Sequence, residues 1–221
     1  MVRALLCGLL LGAGCVQAAD MTVLRYVDQD PASPPYPTRI LVTPDFMRMD
    51  SGEDGGDFAL LDRKQRKFFN VTHDNKLAMV FSQGKLPPKP AKWRVKLDIL
   101  KGALGTRRFS LKVNGQVCSE GVAALRASPD AARAMAEVKA VLAATQYRVW
   151  KESPPGLQHD CDLANQVFES GKTLALGLPL DEREFTGRSR RFESESVQAL
   201  KPELFRVPEG MTQFDAPTAS E

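Results

Sequence analysis

Apolar and charged residues alternate without a break along Trp93-Arg94-Val95-Lys96-Leu97-Asp98-Ile99. The alternation returns along Arg108-Phe109-Ser110-Leu111-Lys112-Val113. Because successive side chains of a β-strand point to opposite faces, each stretch has one apolar and one charged face. The pattern predicts two strands of an antiparallel sheet that is solvated on one side.

Six weaker strands are predicted upstream of this pair. They cover residues 22–27, 38–43, 46–50, 58–62, 67–72 and 76–81. Clusters of Asp, Asn, Gly and Pro lie between most of them and favour tight reversals. Since these connections are short, consecutive strands should pair as antiparallel neighbours. The proline-rich segments 29–37 and 83–92 are predicted to be stiff surface loops.

Further along the chain, the spacing of apolar residues changes from two to three or four. Ser128-Pro129-Asp130 predicts a helix start, with serine as N-cap and proline in the first turn. This helix should end before Pro154, and a shorter helix should cover residues 157–170. Closing strands are predicted at residues 174–180, at Phe185 and at 190–198. This order predicts an α+β domain with helices packed on one face of a curved antiparallel sheet.

The first eighteen residues have the composition of a secretory signal peptide. A basic start at Arg3 precedes an apolar run over residues 4–13, and Val16-Gln17-Ala18 provides small residues for cleavage. The run is too short to span a bilayer. Residues 1–18 are therefore predicted to be removed, which makes the protein periplasmic.

After cleavage at this point, the mature chain is predicted to form a single domain over residues 19–215. A flexible tail is predicted over residues 216–221. Leu11-Gly12-Ala13-Gly14-Cys15 also resembles a bacterial lipobox, in which the cysteine is lipidated. Lipidation of Cys15 therefore stays open as an alternative. It would turn the same domain into a membrane-tethered lipoprotein.

Two cysteines, Cys118 and Cys161, remain after removal of the leader, and an oxidising compartment allows them to pair. A disulfide would join the helical segment to the sheet and stabilise the fold by roughly 4 kcal/mol in the chain-entropy model. The pair lacks the Cys-x-x-Cys spacing of redox centres. Neither histidine, His73 or His159, has a recognisable ligand spacing with the cysteines, so no metal is predicted.

The composition gives little support to nucleic-acid binding or catalysis. The formal net charge of the full sequence is only +3, so no nucleic-acid partner is predicted. Residues 50–57 resemble a calcium loop, but Gly52 and Leu61 replace the acidic ligands of its third and twelfth positions. No pairing of a nucleophile with a base, and no phosphate-binding glycine loop, is recognisable. We therefore predict a protein that is not an enzyme and uses no cofactor.

Several short motifs, in their order along the chain, resemble the LolA/LolB-like superfamily of periplasmic lipoprotein carriers. They are Arg48-Met49-Asp50, residues 58–62, Val113-Asn114-Gly115-Gln116-Val117-Cys118, Gly177-Leu178-Pro179-Leu180 and residues 204–211. The resemblance implies an open β half-barrel whose concave face is covered by helices. It also implies an apolar cavity for acyl chains and supplies no catalytic residues.

The leading hypothesis is a monomeric envelope protein that holds a lipid or a lipoprotein acyl chain between sheet and helices. Methionine adapts to irregular apolar ligands, and large apolar side chains are frequent on the predicted strands. The predicted ligand-lining residues are Met47, Met49, Phe69, Met79, Phe81, Trp93 and Val95. The alternative is a protein–protein interaction or sensor module with a filled core, which would use segments 29–37 and 188–191 as contacts.

Overall fold

A curved, open β-sheet dominates the computed structural model, which describes residues 19–217. With its helices it forms the α+β fold that the change in apolar spacing predicted. The predicted signal peptide, Cys15 and residues 218–221 of the predicted tail lie outside the described residues. Ala216, at the start of that tail, is buried and donates its N–H to the Val80 carbonyl at 2.7 Å.

Twelve strands are present within residues 19–217. They are β1 (Asp20–Gln29), β2 (Tyr36–Val42), β3 (Phe46–Asp50), β4 (Phe58–Asp62), β5 (Lys67–Thr72), β6 (Leu77–Ser82), β7 (Val95–Lys101), β8 (Thr106–Val113), β9 (Gln116–Ala124), β10 (Leu178–Glu184), β11 (Ser189–Ala199) and β12 (Thr212–Asp215). The long helix is α1 (Pro129–Glu152), and one short α-helical turn is α2 (Asp160–Leu163). A π-helical turn, Ala164–Phe168, continues α2, and 3₁₀ turns cover Pro155–Leu157, Leu174–Leu176 and Pro202–Phe205.

Two antiparallel meanders build the sheet, in the order β12-β6-β5-β4-β3-β2-β1-β11-β10-β9-β8-β7. The predicted pairing of consecutive strands is confirmed from β1 to β6 and between β7 and β8. Pairing of β1 with β11 joins the two meanders. Strand β12 pairs with β6 in parallel, so it departs from the antiparallel rule. Strands β12 and β7 form the two edges of the sheet, which does not close.

Strands β9 and β12 were missed by the sequence prediction. In β9 the alternation of apolar and polar residues is interrupted twice. The register of its pairing with β8 shifts opposite Leu111 and Lys112, and Gly121 lies inside the strand. Glycine is required there, because a Cβ atom at this position would collide with the Asp181 carbonyl oxygen. Strand β12 is short, and all four of its residues are exposed, so it has no apolar face that a pattern could reveal.

The prediction for the region after α1 was wrong in two details. The second helix covers a shorter range than 157–170, since the chain between Pro155 and Phe168 is divided into a 3₁₀ turn, α2 and the π-helical turn. Residues 174–176 form a 3₁₀ turn, and the strand begins only at Leu178. Ser128 does lie at the N-terminus of α1, but its side chain makes no capping bond and binds the Glu195 carboxylate instead.

Both faces of the first meander are covered, so the prediction of a sheet solvated on one side does not hold there. On one face, α1 packs Met135, Val138 and Val141 against a row of sheet residues. That row consists of the cross-strand partners Met47, Leu61, Phe68 and Phe81. On the opposite face, Leu204 and Phe205 pack against strand residues that include Val23, Leu41, Phe58 and Leu60.

A buried arginine lies beneath the second cover. Arg48, only 2 % exposed, donates to Asp50 at 2.6 Å and to the Leu204 carbonyl at 3.0 Å. Its guanidinium also lies 3.9 Å from the centre of the Phe58 ring. Burial alone would raise the pKa of Asp50, but hydrogen bonds from Arg39 and Arg48 outweigh that effect and hold the pKa below its usual range. Arg48 therefore binds the chain after β11 to strand β3.

The predicted disulfide is present between Cys118 and Cys161. Both cysteines are almost fully buried, at 0 % and 1 % exposure. The bond joins α2 to β9, and Asn165 supports it by donating to the Cys118 carbonyl at 2.8 Å. The helical segment after α1 is thus attached to the second meander.

Candidate functional site

A cleft lies between α1 and the sheet, where the two meanders meet. It consists of two adjoining cavities of about 290 Å³ and 250 Å³. The residues that line both are Met135, Lys139, Glu184, Arg188 and Arg190. Each cavity is close to the lower end of the range of about 300–1,000 Å³ that ligand pockets span.

The wall of the second cavity is largely apolar. Met47 and Met49 alternate with the back-facing Arg48 along β3, so both methionines point toward α1. Val138 and Leu142 are four residues apart on α1, so they lie on one side of the helix and complete this wall. The thioether side chains can adapt to apolar partners of varied shape.

The first cavity is polar, and its charged groups come mainly from β10 and β11. Glu182 and Glu184 lie two residues apart on β10, and Arg190 follows on β11 as the pairing partner of Glu182. Arg190 forms a two-point ion pair with Asp28, at 2.7 and 2.6 Å, over the ring of Tyr26. Burial raises the pKa of that tyrosine, whose hydroxyl donates to the Pro179 carbonyl at 3.1 Å.

Lys139 and Glu184 are charged groups that line both cavities and form no salt bridge within residues 19–217. Burial raises the pKa of Glu184 above its usual range, and nearby Lys139 opposes part of that shift. The Lys139 ammonium donates to the Asn165 carbonyl at 3.4 Å, a long hydrogen bond. Arg188 differs from these two residues, because its guanidinium Nε forms a salt bridge with the Asp30 carboxylate at 2.8 Å. The cleft therefore has an apolar end and a polar end, an arrangement that suits an amphiphilic molecule.

The raised pKa of Glu184 predicts a pH dependence of stability. In the folded protein this carboxyl binds its proton more tightly than in the unfolded chain, so its contribution to stability is lost as the pH rises above the usual range of glutamate. We expect the Glu184→Gln variant to lack this pH-dependent loss of stability, because the glutamine side chain does not titrate. Urea denaturation at about pH 4 and about pH 7 should show wild-type stability falling relative to the variant as the pH rises. Parallel pH profiles of the two proteins would contradict this explanation.

The structure brings two of the seven predicted lining residues, Met47 and Met49, to the cleft. Phe81 lies in the core under α1, in edge contact with Phe68, and Met79 shares its face of β6. Phe69 lies on the opposite face, beneath Leu204 and Phe205.

The remaining two predicted residues lie at the other end of the sheet. Trp93 and Val95 pack beside the disulfide, and Trp93 also contacts Phe168 edge to face. This cluster belongs to the core that attaches α2 to the second meander. The structure therefore does not bring the seven residues together at one site.

Sequence reasoning missed most of the cleft. Met135, Val138 and Leu142 follow at steps of three and four residues, which is the spacing of one apolar stripe on a helix, and that stripe of α1 is shared between core and cleft. The signal for the polar end was the spacing of two between Glu182 and Glu184 and between Arg188 and Arg190. Such spacing places side chains on one face of a hairpin.

The other sequence candidates take part in local structure. Asp50, first residue of the calcium-like segment, has both carboxylate oxygens bound by Arg39 and Arg48. His159 contacts the Phe185 ring at the start of α2. Among residues 19–217, no group of three or more His, Cys, Asp or Glu residues is arranged to hold a metal ion.

Within the described part of the chain, no helix combines the length and apolarity that a membrane crossing requires.

No family model matches the sequence, and no curated protein matches it either. Among solved structures, two of PNGF-II, in the C2 and P21 space groups, align with 90 % of this chain. The TM-score is 0.36 in both alignments, with 11 % and 12 % identity. The chain spans about a third of the length of that protein (31 % and 32 %), and so weak a similarity supports no functional argument.

Proposed function

We propose that this protein is a non-enzymatic binding protein of the bacterial envelope that holds a lipid or a lipoprotein acyl chain in the cleft between α1 and the sheet. The observation that carries the proposal is the two-ended cleft. Its apolar end is formed by Met47, Met49 and Leu142, and its polar end includes Arg188 and Glu184.

The polarity of the cleft favours an amphiphile over a wholly polar ligand. An acyl chain on the methionine wall would bury apolar surface, at a gain of roughly 25 cal/mol per Å². A polar headgroup at the other end would face Lys139, Arg188 and Glu184, which can supply both hydrogen-bond donors and acceptors. The N-terminal segment supports the location in the envelope through its resemblance to a signal peptide, with tethering through Cys15 as the alternative.

Filling the apolar end should weaken ligand binding. We expect Leu142→Trp to weaken the binding of a fluorescent fatty acid by about tenfold or more, because the indole would occupy the space that the acyl chain needs. The measurement is a fluorescence titration of wild type and variant at the same protein concentration. Equal affinities would remove the cleft as the binding site.

The same helix offers a matched control. Val149 is 49 % exposed and does not line either cavity of the cleft. Val149→Trp introduces the same indole outside the cleft and should leave fatty-acid affinity unchanged. A loss in both variants would indicate damage to α1 rather than occlusion.

A second candidate is an interaction or sensor module with a filled core. The observation that favours it is the modest size of each cavity, about 290 and 250 Å³. The proline-rich segment 29–37 and the basic segment 188–191 would then be its contacts. Pull-down from envelope extract separates the two functions, since a stoichiometric protein partner without bound lipid supports this one.

A further inference from the structure

The hairpin of β7 and β8 forms an edge of the sheet and ends in an exposed aliphatic tip. Leu104 is fully exposed at the turn, and Leu100 and Ile99 are 61 % and 46 % exposed. Leu125 lies beside them, because its N–H donates to the Gly105 carbonyl at 2.9 Å. Ile99 and Leu100 are consecutive in β7 and point to opposite faces of the hairpin, so exposed aliphatic side chains occupy both faces of the hairpin as well as its turn.

The tip is ordered by its own hydrogen bonds. The N–H of Thr106 donates to the Ala103 carbonyl at 2.9 Å, and its hydroxyl donates to the same oxygen at 2.9 Å. The N–H of Gly102 donates to the Thr106 carbonyl at 3.3 Å. These bonds close the turn so that Leu104 projects outward.

Cations surround the aliphatic tip, and carboxylates are missing from its two segments. Residues 99–109 and 121–128 contain no Asp or Glu, and their basic residues are Lys101, Arg107, Arg108 and Arg126. Within residues 19–217 none of these four forms a salt bridge. At the base of the same hairpin, by contrast, Asp98 pairs with both Lys96 and Lys112.

We infer that this tip, Ile99–Thr106 with Leu125 and the four cations, docks on an anionic lipid surface. The aliphatic side chains would enter the boundary between headgroups and acyl chains while the cations remain at the headgroups. The tip supplies fewer residues than the roughly 20–30 that each side of a stable protein interface contributes. A bilayer can surround such a projection on all sides. The surface shares no residue with the cleft and stands independently of the proposed function.

Cosedimentation of the full chain with lipid vesicles tests this inference. Wild type should bind vesicles of phosphatidylcholine and phosphatidylglycerol more tightly than vesicles of phosphatidylcholine alone. Leu104→Asp should reduce binding to the anionic vesicles by about tenfold or more, since a leucine side chain no longer enters the apolar region. Replacing Arg107 and Arg108 by Gln should reduce it by about fivefold for each charge removed.

Leu157→Asp is the matched control, because Leu157 is 64 % exposed in the 3₁₀ turn after α1 and the variant has the same charge change. It should bind vesicles as wild type does. All preparations carry the same N-terminal segment, so differences among them report on the hairpin. Wild-type binding by Leu104→Asp would overturn the inference. So would a response to the arginine variants alone, because it would show electrostatic attraction to the vesicles without insertion of the aliphatic tip.

Discussion

Replacing Arg48 by alanine should destabilise the protein strongly. We expect the free energy of unfolding to fall by about 3–5 kcal/mol, because removing one partner from a buried ion cluster leaves the other groups desolvated with fewer hydrogen bonds. The Leu204 and Asp54 carbonyls would each lose a charged donor, and Asp50 would keep Arg39 as its remaining arginine. Domains of this size have a total stability of about 5–15 kcal/mol, so the loss is a large fraction.

Urea denaturation followed by circular dichroism measures this change. Arg66→Ala is a suitable control, because Arg66 is exposed and, among residues 19–217, its side chain bonds only Gln83, at 3.1 Å. The control should lose less than about 0.5 kcal/mol, as surface substitutions usually do. Similar stability of the two variants would show that the buried cluster does not bind the C-terminal segment to the sheet.

The second large effect is expected for Phe205→Ala, which removes the main aromatic contact of the same cover. Phe205 is 6 % exposed and its ring centre lies 6.1 Å from that of Phe46. Truncation of a buried phenylalanine costs about 3–5 kcal/mol through lost burial and the cavity that remains. The cover would then expose the apolar side chains beneath it, and binding of a hydrophobic dye should rise at urea concentrations where wild type stays folded.

Phe214→Ala provides the comparison for this variant. Phe214 is 39 % exposed on strand β12, at the edge of the sheet. Its truncation should cost much less, because little burial is lost and no closed cavity forms. Equal losses for both phenylalanines would contradict the assignment of residues 200–211 as a stabilising cover of the sheet.

Alternation and turn composition were sufficient to predict the α+β class, the first meander and the start and end of α1. The disulfide was predicted from the two cysteines that remain after the predicted leader. These patterns were not sufficient to predict which face receives which cover. Phe68 and Phe69 are adjacent in sequence and equally apolar, yet one faces α1 and the other faces Leu204. Period-two patterns place such neighbours on opposite faces but do not identify what packs against each. The cover formed by Leu204 and Phe205 on the second face was missed for this reason.

The cleft was harder to predict than the fold because it forms where distant segments meet. Met47 and Met49 belong to the first meander, Leu142 belongs to α1, and Arg188 and Arg190 belong to the end of the second meander. The pairing of β1 with β11 joins the two meanders, and the packing of α1 on the sheet adds Leu142. Residues of β1 and β11 show ordinary strand patterns, and nothing in either specifies the other as its partner. The sequence therefore indicated segment 188–191 only as a contact of the alternative interaction module.

Whether the cleft holds an acyl-chain ligand is tested most directly by native mass spectrometry of freshly purified protein, with solvent extraction of the same sample. We expect a mass excess that extraction removes, and a lipid or fatty acid in the extract. After extraction the protein should bind a fluorescent fatty acid. Protein that is free of ligand as purified and also fails to bind the fluorescent fatty acid would contradict the proposed function.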